Sequence, residues 1–188
     1  INELANGDLK PRLFAVKLTV DELLRVRMNL RSVIKNGILC LMALNGPLDF
    51  DNGAIVTLDK TNASRSNSKE NHHFFPYALR NQFGITQDEA NSVLNFAFIT
   101  KRLNQQISAK HPNAYLHQYE TENSEIRSAL LTHFIDEKAF AAAKDDNFRE
   151  FVALRGTSIL NRIQQVCHIE DNQSIIFASE SDDEPEES

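Results

Sequence analysis

The chain has 188 residues, 41% of them hydrophobic and 24% charged, with a formal net charge of −6. That is the composition of an ordinary globular domain, and it argues against a collagenous, coiled-coil or low-complexity chain. No apolar run is long enough to span a bilayer, and Cys40 and Cys167 stand alone, which excludes a zinc knuckle or a disulfide framework.

The negative charge is concentrated at one end. Glu180, Asp182, Asp183, Glu184, Glu186 and Glu187 all fall in the last nine residues, where there is no Lys or Arg, so the rest of the chain is neutral. Residues 178–188 are expected to be a disordered acidic tail, either solubilising or competing with nucleic acid for basic surface. Isolated cysteines fit a reduced, cytoplasmic setting. The start at Ile1, with no signal peptide ahead of it, reads as a fragment of a longer protein.

Residues 1–20 contain the breakers Asn6-Gly7 and Pro11, and are read as a linker from an absent upstream domain. Phe14, Val16, Leu18 and Val20 alternate, so a strand is the other reading. Residues 21–44 form one long predicted helix, with Leu23, Val26, Leu30, Val33, Leu41 and Leu44 near one face. Arg27, Arg31 and Lys35 would then make a stripe, either a solvated face or a track for phosphates. Asn45-Gly46-Pro47 stops that helix. A turn at Asp51-Asn52-Gly53 leads to a short strand at 54–58, and the polar stretch 62–68 reads as a loop.

Beyond Pro76 a short helix at 77–83 closes at Gly84. Thr86 with Glu89 forms a capping box for another turn of helix. Residues 96–99 are a predicted strand, and Thr100 caps a helix at 101–109. From Pro112 the pattern is helical: 112–119, 124–134, 136–143 and 145–167, the last with Phe148, Phe151, Ile159, Ile163 and Val166 facing inward. Gly156, beside Arg155, permits close packing. Residues 174–177 are a short apolar end.

The chemistry-bearing stretch is 71–104. It holds Asn71-His72-His73-Phe74-Phe75-Pro76, then Ser92-Val93-Leu94-Asn95, then Asn104 nine residues on. Hydrolysis of a phosphodiester needs a base for water and a cation to hold phosphate charge. Imidazole is the side chain suited to be that base near neutral pH. Imidazole and amide oxygen can both ligate a divalent metal, and an amide carbonyl can fix the tautomer of a catalytic histidine. This assigns His72 and Asn104 as metal ligands, His73 as base and Asn95 as its orienter. Neighbours on a regular strand face opposite ways, so His72 and His73 share a site only if the strand ends before Pro76. Lys101, Arg102, Lys110 and Arg80 flank the stretch as phosphate contacts, each otherwise an ordinary solvated charge. His111, His117, His133 and His168 receive no catalytic role.

These fragments, together with His111-Pro112-Asn113-Ala114-Tyr115-Leu116, resemble the HNH, or ββα-metal, nucleases. The likeness is greatest to the C-terminal domain of GmrSD-type restriction endonucleases and SspE-type phage-defence proteins. It covers residues 20–166. It differs from many HNH enzymes in having His72 where they carry Asp. The resemblance implies an α+β, mainly α fold over 21–177. In it a helical bundle (21–45 and 112–168) carries a ββα-metal finger (70–110). It further implies a divalent metal, with Mg or Mn expected and Ni or Zn as other possibilities. DNA is the implied substrate, and an upstream NTP-using sensor domain the implied gate, with no membrane partner. A catalytically inactive DNA-binding or protein-interaction module of the same family is the other reading.

Overall fold

The computed structural model describes residues 13–16, 18–56, 73–167 and 175–178. The expectations for His72, for the loop at 62–68 and for the acidic tail beyond Ala178 lie outside these residues. Leu13–Val16 (β1) pairs antiparallel with Ile175–Ala178 (β2), Leu13 opposite Ala178 and Val16 opposite Ile175. A strand therefore stands within the stretch read as a linker.

The single long helix over 21–44 does not form. Val20–Arg25 (α1) ends at Val26 in extended backbone, and Val33–Leu44 (α2) restarts behind the Ser32 cap. The break has a physical cause. Met28 N–H donates to Asn91 O and Val93 N–H donates to Val26 O, so these backbone groups are spent on a distant turn. Lys35 Nζ then donates to Leu30 O at 2.6 Å and to Met28 O at 3.4 Å, closing the turn between the helices. The stripe of Arg27, Arg31 and Lys35 is broken with it. Asn36-Gly37 sits inside α2 without interrupting it.

The expected ββα finger is also absent. Among the described residues, 96–99 form no strand, and the segments of His73 and Phe96 share one isolated antiparallel bridge. The α+β finger reading therefore gives way to a mainly helical one. Pro76 has no N–H to offer a ladder. The 3-10 turn at Val93–Asn95, immediately before Phe96, stops the pairing from extending on the Phe74–Pro76 side of the bridge. Of the strand expected at 54–58, the described residues 54–56 show only a bridge between Leu48 and Ile55.

The helices are Gln87–Ala90 (α3), Lys101–Ile107 (α4), Pro112–Glu122 (α5), Ile126–Leu131 (α6), Glu137–Lys144 (α7) and Phe148–Cys167 (α8). Thr86 and Glu89 cap α3 reciprocally, Thr100 caps α4, Pro112 opens α5, and Asp136 caps α7. α8 packs on α7 and α1 and beneath the Val93–Asn95 turn. Its inner face carries Phe148, Phe151 and Ile159, whereas Val166 is about half exposed. Phe151 stacks on Phe74 (centroids 4.7 Å apart, planes 12°), and Phe148 meets the edge of Phe75 at 5.3 Å. The two phenylalanines after His73 are thus its anchor in the core. No helix of the described residues is long and apolar enough to cross a membrane.

Candidate active site

His73 is half-buried at the lip of this core, at the end of its bridge with Phe96. Its ring lies 4.6 Å from that of Phe96 and 5.6 Å from that of Tyr77. The polar partner of its Nε2 is Asn91 Oδ1, at 3.2 Å. The orientation of the Asn91 amide is fixed from the other side, because its Nδ2 donates to Gln87 O at 2.9 Å. With the oxygen facing the ring, it is the Nε2–H that donates in this contact.

Asn95, the expected orienter, does something else. It is fully buried. Its Oδ1 accepts from Phe75 N–H at 2.8 Å, and its Nδ2 donates to Phe75 O at 3.0 Å and Ala90 O at 2.9 Å. Its backbone carbonyl accepts from Phe74 N–H at 2.7 Å. Asn95 thus replaces the missing ladder, tying Phe74 through its backbone carbonyl and Phe75 and Ala90 through its side chain. Asn91 is the residue that sequence reasoning missed. Its signal was its place at the end of the capped turn α3, on the same loop.

Two further buried donors clamp this loop. Tyr115 on α5 donates its hydroxyl to Phe74 O at 2.9 Å, and burial pushes that phenol well up. Arg155 on α8 donates from Nη1 to Leu94 O at 2.7 Å and from Nε to His133 O at 3.0 Å. Burial pulls the Arg155 guanidinium down to about 9, leaving it charged at neutral pH. Its Nη2 and His133 Nδ1 are buried without partners. His133 Nε2 bonds Leu48 O at 2.9 Å, and burial holds its imidazole neutral down to about 3. His111 joins Asp146 and Gln82, tying surface loops together.

Asn104 is half-buried on α4. The start of that helix is fixed by Asp49, whose carboxylate accepts from Thr100 N–H at 2.8 Å and from Thr100 Oγ1 at 2.6 Å. The expected phosphate contacts Arg102, Lys110 and Arg80 are engaged within the protein. Arg102 Nη2 lies 2.6 Å from Asp51 Oδ2, and this bond pushes the guanidinium further up. Lys110 reaches Gln118 Oε1 at 3.3 Å, and Arg80 lies over the Tyr77 ring at 4.6 Å. Lys101 is exposed on the first turn of α4.

Among the described residues no three His, Cys, Asp or Glu side chains gather as a metal group. The donor set inferred for a cation is of another kind, one imidazole and one amide carbonyl. Nitrogen and neutral oxygen donors of this sort suit Mn²⁺, Ni²⁺ or Zn²⁺, and the carbonyl also suits Mg²⁺.

A protein of Methanocaldococcus jannaschii, named Uncharacterized protein MJ0686, is 28% identical over 155 residues, 69% of this chain and 25% of that protein. The chain thus spans about a quarter of the length of that curated relative. No protein-family model matches the chain, and no solved structure does.

Proposed function

We propose that this chain is a metal-dependent endonuclease domain of the HNH class that hydrolyses DNA phosphodiesters. The observation carrying this reading is the seating of His73 at the lip of the core, with its ring oriented by Asn91 Oδ1. An imidazole oriented by an amide oxygen is the side chain suited to activate water near neutral pH. His72 and Asn104 would hold a divalent cation, which when bound supplies positive charge for the phosphate and the leaving 3′ oxygen.

The His73 imidazole takes the proton from water, and Asn91 Oδ1 stabilises the imidazolium that results. Asn95, Tyr115 and Arg155 keep the loop from drifting by holding its backbone. Lys101 meets the DNA backbone without reading bases. In this proposal the domain acts in the cytoplasm as the effector of a restriction or phage-defence protein, gated by an NTP-using sensor domain.

The test is plasmid nicking with Mg²⁺, Mn²⁺ or Ni²⁺, and with EDTA. Metal-dependent nicking is expected. His73→Ala should lower it by about 10²–10⁴-fold, the usual contribution of a general base. Asn91→Ala should cost about 10- to 100-fold, as loss of a histidine's orienting partner does. An unimpaired His73→Ala enzyme would end the base assignment. Retention of DNA with no cleavage in any metal would select the catalytically inactive DNA-binding module of the same family.

A further inference from the structure

We propose that Asp51 is a built-in phosphate mimic that occupies Arg102 in the free protein and yields it to a DNA phosphate. The proposal rests on the nuclease reading, because the phosphate it offers to Arg102 is that of the same substrate.

Arg102 is in the first turn of α4, beside Lys101 and two residues before Asn104. Its side chain is 50% exposed, so a ligand can reach it. Asp51 lies at the tip of the 47–56 hairpin, with its side chain 10% exposed. One carboxylate oxygen, Oδ2, meets Arg102 at 2.6 Å, while Oδ1 is buried with no hydrogen-bond partner. The Tyr119 hydroxyl is also buried and unpartnered. The neighbouring carboxylate of Asp49 is spent on Thr100 and lies 3.9 Å from the same guanidinium.

The two aspartates therefore do different work. Asp49 uses both oxygens to cap a helix. Asp51 is held by Arg102 through one oxygen, and the other is desolvated with no hydrogen bond to offset it. A half-satisfied ion pair is a weak lock. Guanidinium binds carboxylate and phosphate with the same planar fork, so a phosphodiester can take the place of Asp51. Displacing Asp51 frees its carboxylate to rehydrate, which offsets part of the exchange. Before DNA arrives, the pair keeps Arg102 from binding other anions.

The experiment is a double-mutant cycle read by fluorescence anisotropy, with a labelled DNA duplex in EDTA. Asp51→Asn keeps the size of the side chain and should bind roughly 3- to 10-fold tighter than wild type, the value of one partly exposed ion pair. Arg102→Ala should bind more weakly. The decisive arm is the double variant: Asp51→Asn should have no effect once Arg102 is gone. Equal tightening in both backgrounds would mean general charge repulsion, and overturns the proposal. No tightening by Asp51→Asn, or no binding by any of the four proteins, overturns it too. Melting curves should show each variant folded; because Asp51→Asn is isosteric, a failure to fold there shows a structural role and also overturns the proposal. The nuclease reading fails separately: a coupled cycle with no metal-dependent nicking keeps the latch and removes the chemistry.

Discussion

The helices from Pro112 onward and the loops between His73 and Thr100 are held by different kinds of bond. α5, α7 and α8 satisfy their own backbones and meet through apolar faces, so their order is set by local periodicity. The loops around His73 have almost no ladder. Their carbonyls and amides are taken one by one by side chains from afar: Asn95 on Phe75, Tyr115 on Phe74, Arg155 on Leu94, Asp49 on Thr100. A bundle of this sort tolerates loss of one contact. A loop held by single hydrogen bonds does not, because each lost donor strands a buried carbonyl.

The largest expected effect is therefore at Arg155, whose guanidinium bonds one carbonyl in each region. Arg155→Met keeps most of the volume but leaves Leu94 O and His133 O without their donor. Each stranded carbonyl costs ~1–3 kcal/mol, so a loss of about 4 kcal/mol is expected in urea denaturation. A loss below about 1 kcal/mol would mean that the loop does not depend on this clamp.

How far this contrast was legible in the sequence follows from the bonds themselves. Thr86 with Glu89, Thr100 and Pro112 are local signals, since each acts on the residues next to it, and the structure bears them out; the cap at Asp136 is just as local, but the sequence reading puts Asp136 inside its helix. The break after Arg25 was not, because it is made by residues 91–93, which no local window contains. The finger at 70–110 was misread for a related reason. Alternating apolar residues such as Phe96 and Phe98 mark a strand only if a partner supplies a ladder, and here Asn95 supplies side-chain bonds instead. Asn91 and Asn95 look alike in sequence. Which of them meets His73 depends on the 3-10 turn at Val93–Asn95, whose direction nothing nearby announces.

The next effect separates the regions by pH. Burial holds the His133 imidazole neutral down to about 3, against an ordinary 6.5. The unfolded chain therefore binds the extra proton first. Stability from this group is complete above about pH 6.5 and falls by up to ~1.4 kcal/mol per unit as pH drops toward 3. His133→Gln can still donate to Leu48 O but cannot titrate. The difference in unfolding free energy between the two proteins should shrink by about 2 kcal/mol between neutral pH and about pH 5. A constant difference would show that His133 is not buried neutral.

The smallest effect comes from making one substitution in two helices. Gly37 in α2 has nothing within 4 Å of where a Cβ would stand. Gly37→Ala should stabilise by up to about 1 kcal/mol, since glycine is a poor helix residue. Gly156 in α8 is different: an added Cβ would lie 2.8 Å from Val20 Cγ1 and 3.3 Å from Leu94 Cδ1. Val20 opens α1, and its branched side chain has little rotamer freedom with which to retreat. Leu94 is in the turn that carries Asn95, so the strain reaches the loop below His73. Overpacking of about 1–3 kcal/mol should outweigh the helix gain and leave Gly156→Ala about 1 kcal/mol less stable. Val20→Ala should relieve it, so that the double variant loses less than the sum of the single ones. If Gly156→Ala stabilised as much as Gly37→Ala, the seam between α1 and α8 would be loose, and the turn at Val93–Asn95 would be held by its hydrogen bonds to Val26, Phe75 and Arg155 rather than by this packing.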